Sequence, residues 1–155
     1  MNFQIKQITA EDMEGFEALL NCFEEAFDDK KTYGNNRPDN SYSKELLTSD
    51  TFIALKAEKD GVVIGGLAAY ELKKFEQKRS EIYIYDLAVS KPYRRKGVAS
   101  ALIEILKPMA LKRGAWVIYV QADKEDQPAI ELYSKLGIRE DVLHFDIPVV
   151  PQQSK

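Results

Sequence analysis

Apolar residues recur along this chain with two different periods. Near the N-terminus they recur at helical spacing, and the residues that share this face are Phe16, Leu19, Leu20, Phe23 and Phe27. Three later stretches, 51–58, 62–72 and 79–89, have the length and the β-branched and aromatic content of strands. The turn 59–61 contains an Asp-Gly pair, which favours a hairpin because such pairs accept positive φ angles. The first half of the chain therefore predicts a short strand around Ile5, a helix and three further strands.

The second half of the chain alternates helices and strands. A helical pattern at 98–109 precedes an apolar strand at 115–120, and a helix that begins at Asp126 precedes a last strand at about 138–147. Pro108 removes a backbone donor, so we expect the first of these helices to kink or end near it.

One long segment, 28–41, shows no hydrophobic period and is rich in Gly, Asn and Pro, which predicts a loop. Loops of this length often carry function. A short helix is predicted after it, at 42–47. The resulting order, β-α-α-β-β-β-α-β-α-β, is typical of one α/β domain over residues 1–155, in which strands four and five are parallel and joined by a right-handed crossover.

Composition and charge argue against several classes of function. The chain has 22 Lys and Arg against 25 Asp and Glu, a net charge of −3, which argues against nucleic-acid binding and suits a cationic small substrate. It lacks a signal-peptide pattern and any apolar run that could span a bilayer, so we expect a cytoplasmic protein without a membrane partner. Cys22, the single cysteine, is expected to be a small buried residue rather than a nucleophile. The single histidine, His144, has no partners at ligand spacing, so no metal site is predicted.

A basic turn that contains a glycine connects the strand at 79–89 to the helix after it. Its residues are Arg94, Arg95, Lys96 and Gly97, followed by Val98, Ala99 and Ser100 at the start of the helix. The first N–H groups of a helix lack intrahelical partners and point, with the positive end of the helix dipole, at one place. Gly97 lets the backbone approach a ligand closely. The turn therefore predicts a phosphate or pyrophosphate site, and the alternative is a solvated basic turn.

A second motif ends the helix that begins at Asp126, where Leu132 to Gly137 read Leu-Tyr-Ser-Lys-Leu-Gly. Together with the Arg-x-x-Gly-x-Ala turn, this helix end resembles the GNAT superfamily of N-acetyltransferases. Several segments resemble, more narrowly, the aminoglycoside 3-N-acetyltransferases of the gentamicin-resistance type. These segments are 75–77, 79–90, 117–123, 136–140 and 144–147, and the likeness covers most of the chain from about Thr51 onward.

The resemblance implies the GNAT fold, an α/β architecture with a mixed, mostly antiparallel sheet and helices on both faces. Its parallel strands four and five splay apart to admit the pantetheine arm of acetyl-coenzyme A. The cofactor contacts implied in addition to the basic turn are Leu87, Ala88, Val89, Asp126, Ala129 and Tyr133. Many family members have asparagine where this chain has Asp126, so the alternative role for Asp126 is that of a helix cap alone.

Asp86 and Tyr133 are the expected catalytic residues. Strict alternation puts Asp86 on the same strand face as Ile82 and Ile84, where burial would raise its pKa toward the range of a general base. The resemblance places a functional carboxylate here, so Asp86 is expected to be a base, a substrate anchor, or both. The alternative is a structural aspartate that caps a loop or fixes a bulge through hydrogen bonds. For Tyr133 the resemblance implies that its hydroxyl protonates the coenzyme A sulfur, and the alternative is amphipathic packing. No credible nucleophile is present, so direct transfer is expected.

The expected function is acetylation of the 3-amino group of gentamicin-type aminoglycosides by acetyl-coenzyme A, which would confer resistance. Aminoglycosides are polycations, so the carboxylates expected in the acceptor site are Asp86, Glu81, Glu125 and Asp146, with surface charge as the alternative for Glu81, Glu125 and Asp146. One alternative function is GNAT acetylation of another small amine, a polyamine or a peptide, and another is a non-catalytic acyl-coenzyme-A sensor. A homodimer is expected from the resemblance, with Val149 and Val150 as apolar contacts.

Overall fold

The structure is a computed structural model and describes residues 1–150 of the chain. Its elements are β1 (Gln4–Gln7), α1 (Met13–Phe27), α2 (Lys30–Tyr33), α3 (Asn40–Thr48), β2 (Phe52–Lys59), β3 (Val62–Lys73), β4 (Ser80–Val89), α4 (Val98–Lys112), β5 (Ala115–Val120) and α5 (Gln127–Leu136). Two compact units contain them: Met1–Gln121 holds every element through β5, and a second unit from Ala122 onward holds α5. That 1–155 forms a single domain stays a prediction, and its last five residues lie outside the described part.

The five strands form one sheet in the order β1-β2-β3-β4-β5. Neighbouring strands are antiparallel from β1 through β4, and β4 and β5 are parallel. The predicted mixed, mostly antiparallel sheet is therefore confirmed. The Asp-Gly turn joins β2 and β3, with Asp60 and Gly61 both at positive φ, as the hairpin prediction required.

The two parallel strands stay together for only part of their length. Pairing runs from Ser80 opposite Ala115 to Ile84 opposite Val120, whereas β4 continues to Val89. Among the described residues, the stretch 85–89 has no strand beside it on the β5 side. The backbone groups of 85–89 that point away from β3 therefore face an open space. We call this space the gap between β4 and β5.

Helices cover both faces of the sheet. On one face α1 packs over a cluster whose buried members are Ile8, Phe16, Leu19, Phe23, Phe52, Ala54 and Ala88. The approach is close, because a Cβ on Gly66 of β3 would collide with the Leu19 side chain and the Leu55 carbonyl. On the other face α4 contacts β2, β3, β4 and β5 and buries Val98, Leu102 and Leu106 almost completely.

A β-bulge in β4 changes the predicted placement of Asp86. Ile84 pairs with Ala69, and Asp86 pairs with the preceding residue, Ala68, so Tyr85 is an extra residue in β4. Adjacent β3 residues point to opposite faces, and Ala68 packs on the α1 cluster. Asp86 is therefore on the α1 face, and the prediction that it shares a face with the two isoleucines of β4 is wrong.

The predicted last strand at 138–147 is also wrong. Within the second unit the described residues after α5 form no strand. The apolar side chains there, Ile138, Val142, Leu143, Phe145 and Ile147, are 74–97% exposed. Apolar content alone does not make a strand, since a strand also needs a partner for its backbone hydrogen bonds.

Two helix predictions need smaller corrections. The predicted loop 28–41 contains the short helix α2, and α3 begins two residues before the predicted start at 42. The helix α4 runs through Pro108 to Lys112, so an end at the proline is wrong. Pro108 has no N–H to donate to the carbonyl of Glu104, four residues earlier. Both residues are exposed, so water can hydrate that carbonyl.

Candidate active site

The basic turn leads directly into the N-terminus of α4. Gly97 is the N-cap residue, and no side chain caps the helix. The Ala101 N–H donates to the Gly97 carbonyl at 3.0 Å, so the N–H groups of 98–100 precede the first hydrogen bond of the helix. The cationic residues 94–96 are exposed beside them. Backbone donors, the positive helix end and three cationic residues thus lie next to one another in this turn, an arrangement that favours anion binding.

The backbone of the turn also fits a bound diphosphate. Gly97 has φ 85°, and a Cβ there would meet nothing within 4 Å, so the space beside it is open. The turn is held against the end of β4, because Arg94 Nε donates to the Val89 carbonyl at 2.8 Å. Residues 94–100, with the gap beside 87–89, could therefore hold the diphosphate and pantetheine of coenzyme A.

Asp86 is a half-buried carboxyl in the part of β4 that faces the gap. Burial raises its pKa from 3.8 to about 6, and a hydrogen bond from Tyr33 opposes that rise. The Tyr33 hydroxyl donates to Asp86 Oδ2 at 2.8 Å. At neutral pH the group is ionised but more basic than an ordinary aspartate, which suits it to accept a proton from an amine.

Tyr33 is a site residue that the sequence prediction missed. It ends α2, and its ring packs against Phe23 and Phe27 of α1 with centroids 6.0 and 5.4 Å away. Arg37 fixes this segment, because its Nε donates to the Tyr33 carbonyl and its Nη2 pairs with Glu24 at 3.1 Å. The only signal in the sequence was an aromatic phenol within a long segment that lacks a hydrophobic period.

Glu81, the second predicted carboxylate in β4, already has partners. Its Oε2 accepts from Trp116 Nε1 at 3.3 Å and lies 3.7 Å from Lys74 Nζ. The side chain is only 20% exposed. Glu81 is therefore a fixed negative charge rather than a freely solvated one.

Cys22 agrees with the prediction of a small buried residue. It is 4% exposed, and its Sγ lies 3.5 Å from Ser90 Oγ. Burial raises the pKa of the thiol, which lowers its thiolate fraction at neutral pH. These properties make it a poor nucleophile.

The second unit carries the remaining predicted residues. Asp126 caps α5 by accepting from the Ala129 N–H at 3.3 Å, so both residues already serve the helix end. Burial, with a smaller contribution from Asp126, raises the pKa of Tyr133 to about 12. Asp146 Oδ1 lies 2.9 Å from His144 Nε2, and Glu125 is exposed in the turn before α5.

Residues 1–150 contain neither a metal-binding cluster nor a membrane-spanning helix. No group of three His, Cys, Asp or Glu side chains in this part comes together in a way that could hold a metal ion. No helix in it combines the length and hydropathy that a membrane crossing requires.

Comparison with solved structures identifies proteins of the same fold along nearly the whole chain. An aminoglycoside acetyltransferase from an uncultured soil metagenomic sample is 60% identical, with a TM-score of 0.95 over 97% of this chain and 100% of that chain. Another aminoglycoside acetyltransferase from such a sample, in complex with sisomicin, is 28% identical, with a TM-score of 0.89 over 96% of this chain and 97% of that chain.

Comparison by sequence gives a family match. The profile described as Acetyltransferase (GNAT) family matches residues 14–138. An N-alpha-acetyltransferase of Sulfurisphaera tokodaii is 32% identical over 91 residues, which is 54% of either chain. The chain spans 39% to 61% of the length of the first curated relatives that it matches.

Proposed function

The chain belongs to the acetyltransferase (GNAT) family, and we therefore propose that it is an acetyl-coenzyme-A-dependent N-acetyltransferase whose acceptor is an aminoglycoside. The observation that carries this proposal is the half-buried carboxyl of Asp86, with its pKa raised to about 6, beside the gap between β4 and β5. The 60% identity to a solved aminoglycoside acetyltransferase supports the acceptor class. The sisomicin complex of the more distant relative supports it independently.

In the proposed reaction Asp86 accepts the proton that the attacking amine loses. A carboxylate with a pKa of about 6 is a better base than ordinary aspartate and still carries its charge at pH 7. Acetyl-coenzyme A would supply the activated acetyl group as a thioester. Tyr133, with a pKa raised to about 12, keeps its proton at neutral pH and is proposed to give that proton to the leaving sulfur. With Cys22 buried and its pKa raised, direct transfer is the proposed route.

The proposed cofactor contacts follow the geometry of the turn and of the gap. Backbone N–H groups of 98–100 and the cations of 94–96 would bind the diphosphate. Backbone groups of 87–89 would contact the pantetheine and the acetyl carbonyl. The roles of Asp126 and Ala129 remain proposals, and their mutual hydrogen bond favours the helix-cap role for Asp126.

The finer points of the function rest on the sequence resemblance. We propose the 3-amino group as the acetylated position, gentamicin-type aminoglycosides as acceptors and antibiotic resistance as the consequence. We also propose a homodimer, to which the exposed side chains of Val149 and Val150 would contribute apolar contacts. The cytoplasmic location stays a prediction.

The decisive test measures acetyl transfer by the purified full-length chain. Thiol release from acetyl-coenzyme A is followed with gentamicin, sisomicin, spermidine and a peptide as acceptors, and the modified amine is located by NMR. Rapid turnover of the aminoglycosides with acetylation at the 3-amino group is expected. Turnover of only spermidine or only the peptide would overturn the acceptor class. Tight cofactor binding without transfer to any amine would instead indicate a sensor.

A further inference from the structure

Four tyrosines form a continuous row across β3, β4 and β5. The rings of Tyr119 and Tyr83 stack with centroids 4.7 Å apart and planes 3° from parallel. Tyr83 and Tyr85 follow at 5.7 Å, and Tyr85 meets Tyr70 edge to face at 5.9 Å. We call these four residues the tyrosine row, and all of them lie in the unit Met1–Gln121.

The tyrosine row lies on the sheet face that carries Asp86. Tyr70 is two residues from Ala68, the β3 partner of Asp86, so alternation puts both on one face. Tyr83 and Tyr119 continue the row in register from Tyr70 across β4 and β5. The bulge residue turns its ring to the same side, since that ring contacts two of the others.

The row is partly exposed, and at one end Tyr70 packs on the α1 cluster, with its ring centroid 5.2 Å from that of Phe52. Tyr85 is 61% exposed, and the other three rings are partly exposed. The buried clusters under α1 and α4 already supply the cores of this unit. A contiguous aromatic surface beside a candidate active site is typical of a ligand-binding surface.

Two carboxylates, Asp86 and Glu81, act on the row. Burial raises the pKa of Tyr70, Tyr83 and Tyr119; Asp86 adds to the rise for Tyr70 and Tyr83, whereas for Tyr119 Glu81 adds to it and Lys74 opposes it, so these phenols stay neutral. The ring faces are electron-rich, and carboxylates lie near both ends of the row. The cation beside Glu81, Lys74, lies within 4.0 Å of that carboxylate and of a second one, that of Glu76.

We propose that the tyrosine row is the docking surface for the ammonium-bearing rings of the acceptor, an amino sugar, and that it holds the reacting amine at Asp86. This inference rests on the proposed function and names the surface that selects its substrate. Ammonium groups bind over aromatic faces by cation–π attraction, and the apolar faces of sugar rings pack on such rings. Because Tyr119 and Tyr83 each cover one face of the other, the 61% exposed ring of Tyr85 is the principal free face of the row. Carboxylates at both ends suit a ligand with several separated positive charges, which a single peptide amine lacks.

The test removes one ring at a time from the full-length enzyme. In Tyr85→Leu and Tyr119→Leu we expect the KM for sisomicin to rise about tenfold, with kcat and the KM for acetyl-coenzyme A changed much less. Tyr85→Phe restores the ring and should recover most of the lost affinity. Phe75→Leu removes a 99% exposed aromatic outside the row and should keep the wild-type KM. Calorimetric binding of sisomicin without cofactor gives a readout that does not need turnover.

Each outcome decides the proposal. The proposal would be overturned if folded Tyr85→Leu kept the wild-type KM and the wild-type affinity for sisomicin. If Tyr119→Leu does not fold, the result for Tyr85→Leu decides the proposal alone. A loss in Tyr85→Phe as large as in Tyr85→Leu would also overturn it, because the hydroxyl rather than the ring would then bind. If the wild type acetylates no aminoglycoside, the proposed function fails. Sisomicin binding that depends on Tyr85 would still support the docking surface in that case, and binding that does not would overturn it.

Discussion

The hydroxyl of Tyr33 should set the pH at which the enzyme becomes active. It donates to Asp86 at 2.8 Å. The carboxyl pKa of about 6 is the net result of burial, which raises it, and of this hydrogen bond, which lowers it. Tyr33→Phe removes the hydroxyl and keeps the ring that packs on Phe23 and Phe27. The variant should therefore keep the fold of α2 and raise the pKa of Asp86 further.

The size of the effect follows from the strength of one hydrogen bond to a charge. Such a bond contributes about 1.5–3 kcal/mol, and water can replace part of it at a half-buried group, so we expect a rise of about one pKa unit. The acid limb of the kcat/KM profile should then move from about pH 6 to about pH 7. At pH 6.5 the variant should be about threefold slower than the wild type from this cause, and the difference should vanish near pH 9.

The assay is a pH profile of kcat/KM for one aminoglycoside, measured for the variant and the wild type. The titration of the acceptor amine is common to both profiles and drops out of their comparison. Tyr42→Phe, which removes the phenol of an exposed tyrosine in α3, serves as the matched control. An acid limb that stays in place or moves to lower pH in Tyr33→Phe would refute the assignment of Asp86 as the titrating base.

Three further variants test Asp86 itself, Tyr133 and Gly97. Asp86→Asn should lower kcat about 10- to 10⁴-fold. In urea unfolding it should also be about 1 kcal/mol more stable at pH 8, and this gain should be lost at about pH 3, because a carboxyl with a raised folded pKa opposes folding only where the unfolded form would ionise. Equal stability of both proteins at pH 8 would contradict this. Tyr133→Phe should lower kcat over the same range with cofactor binding kept, and wild-type turnover would remove its role as an acid. Gly97→Ala should lose about 1 kcal/mol of stability to its φ of 85° and raise the KM for acetyl-coenzyme A, and an unchanged KM would argue against the diphosphate site.

The parts of the fold that local chemistry determines could be predicted from the sequence. The Asp-Gly turn correctly predicted the hairpin of β2 and β3. The apolar run before the basic turn correctly predicted β4 as far as its last residue, Val89. The turn itself could be predicted because Gly97 and its cations are neighbours in sequence. Its uncapped helix end has the expected geometry.

The parts that depend on distant partners could not be predicted in this way. Helix α2 depends on tertiary contacts, since Arg37 ties it to α1 through Glu24. The segment 138–147 has apolar residues but forms no strand in the described structure. In both cases the deciding interaction lies outside the window over which a period is read.

The bulge at Tyr85 could not be predicted from the alternation of residues along β4, and the proposed function depends on it. Without the extra residue, alternation would turn Asp86 toward the face of the sheet that α4 covers. With it, the carboxyl turns to the face where Tyr33 reaches it. The same extra residue is the most exposed ring of the tyrosine row. One insertion in the strand thus brings the proposed base and the proposed docking surface to the same face of the sheet.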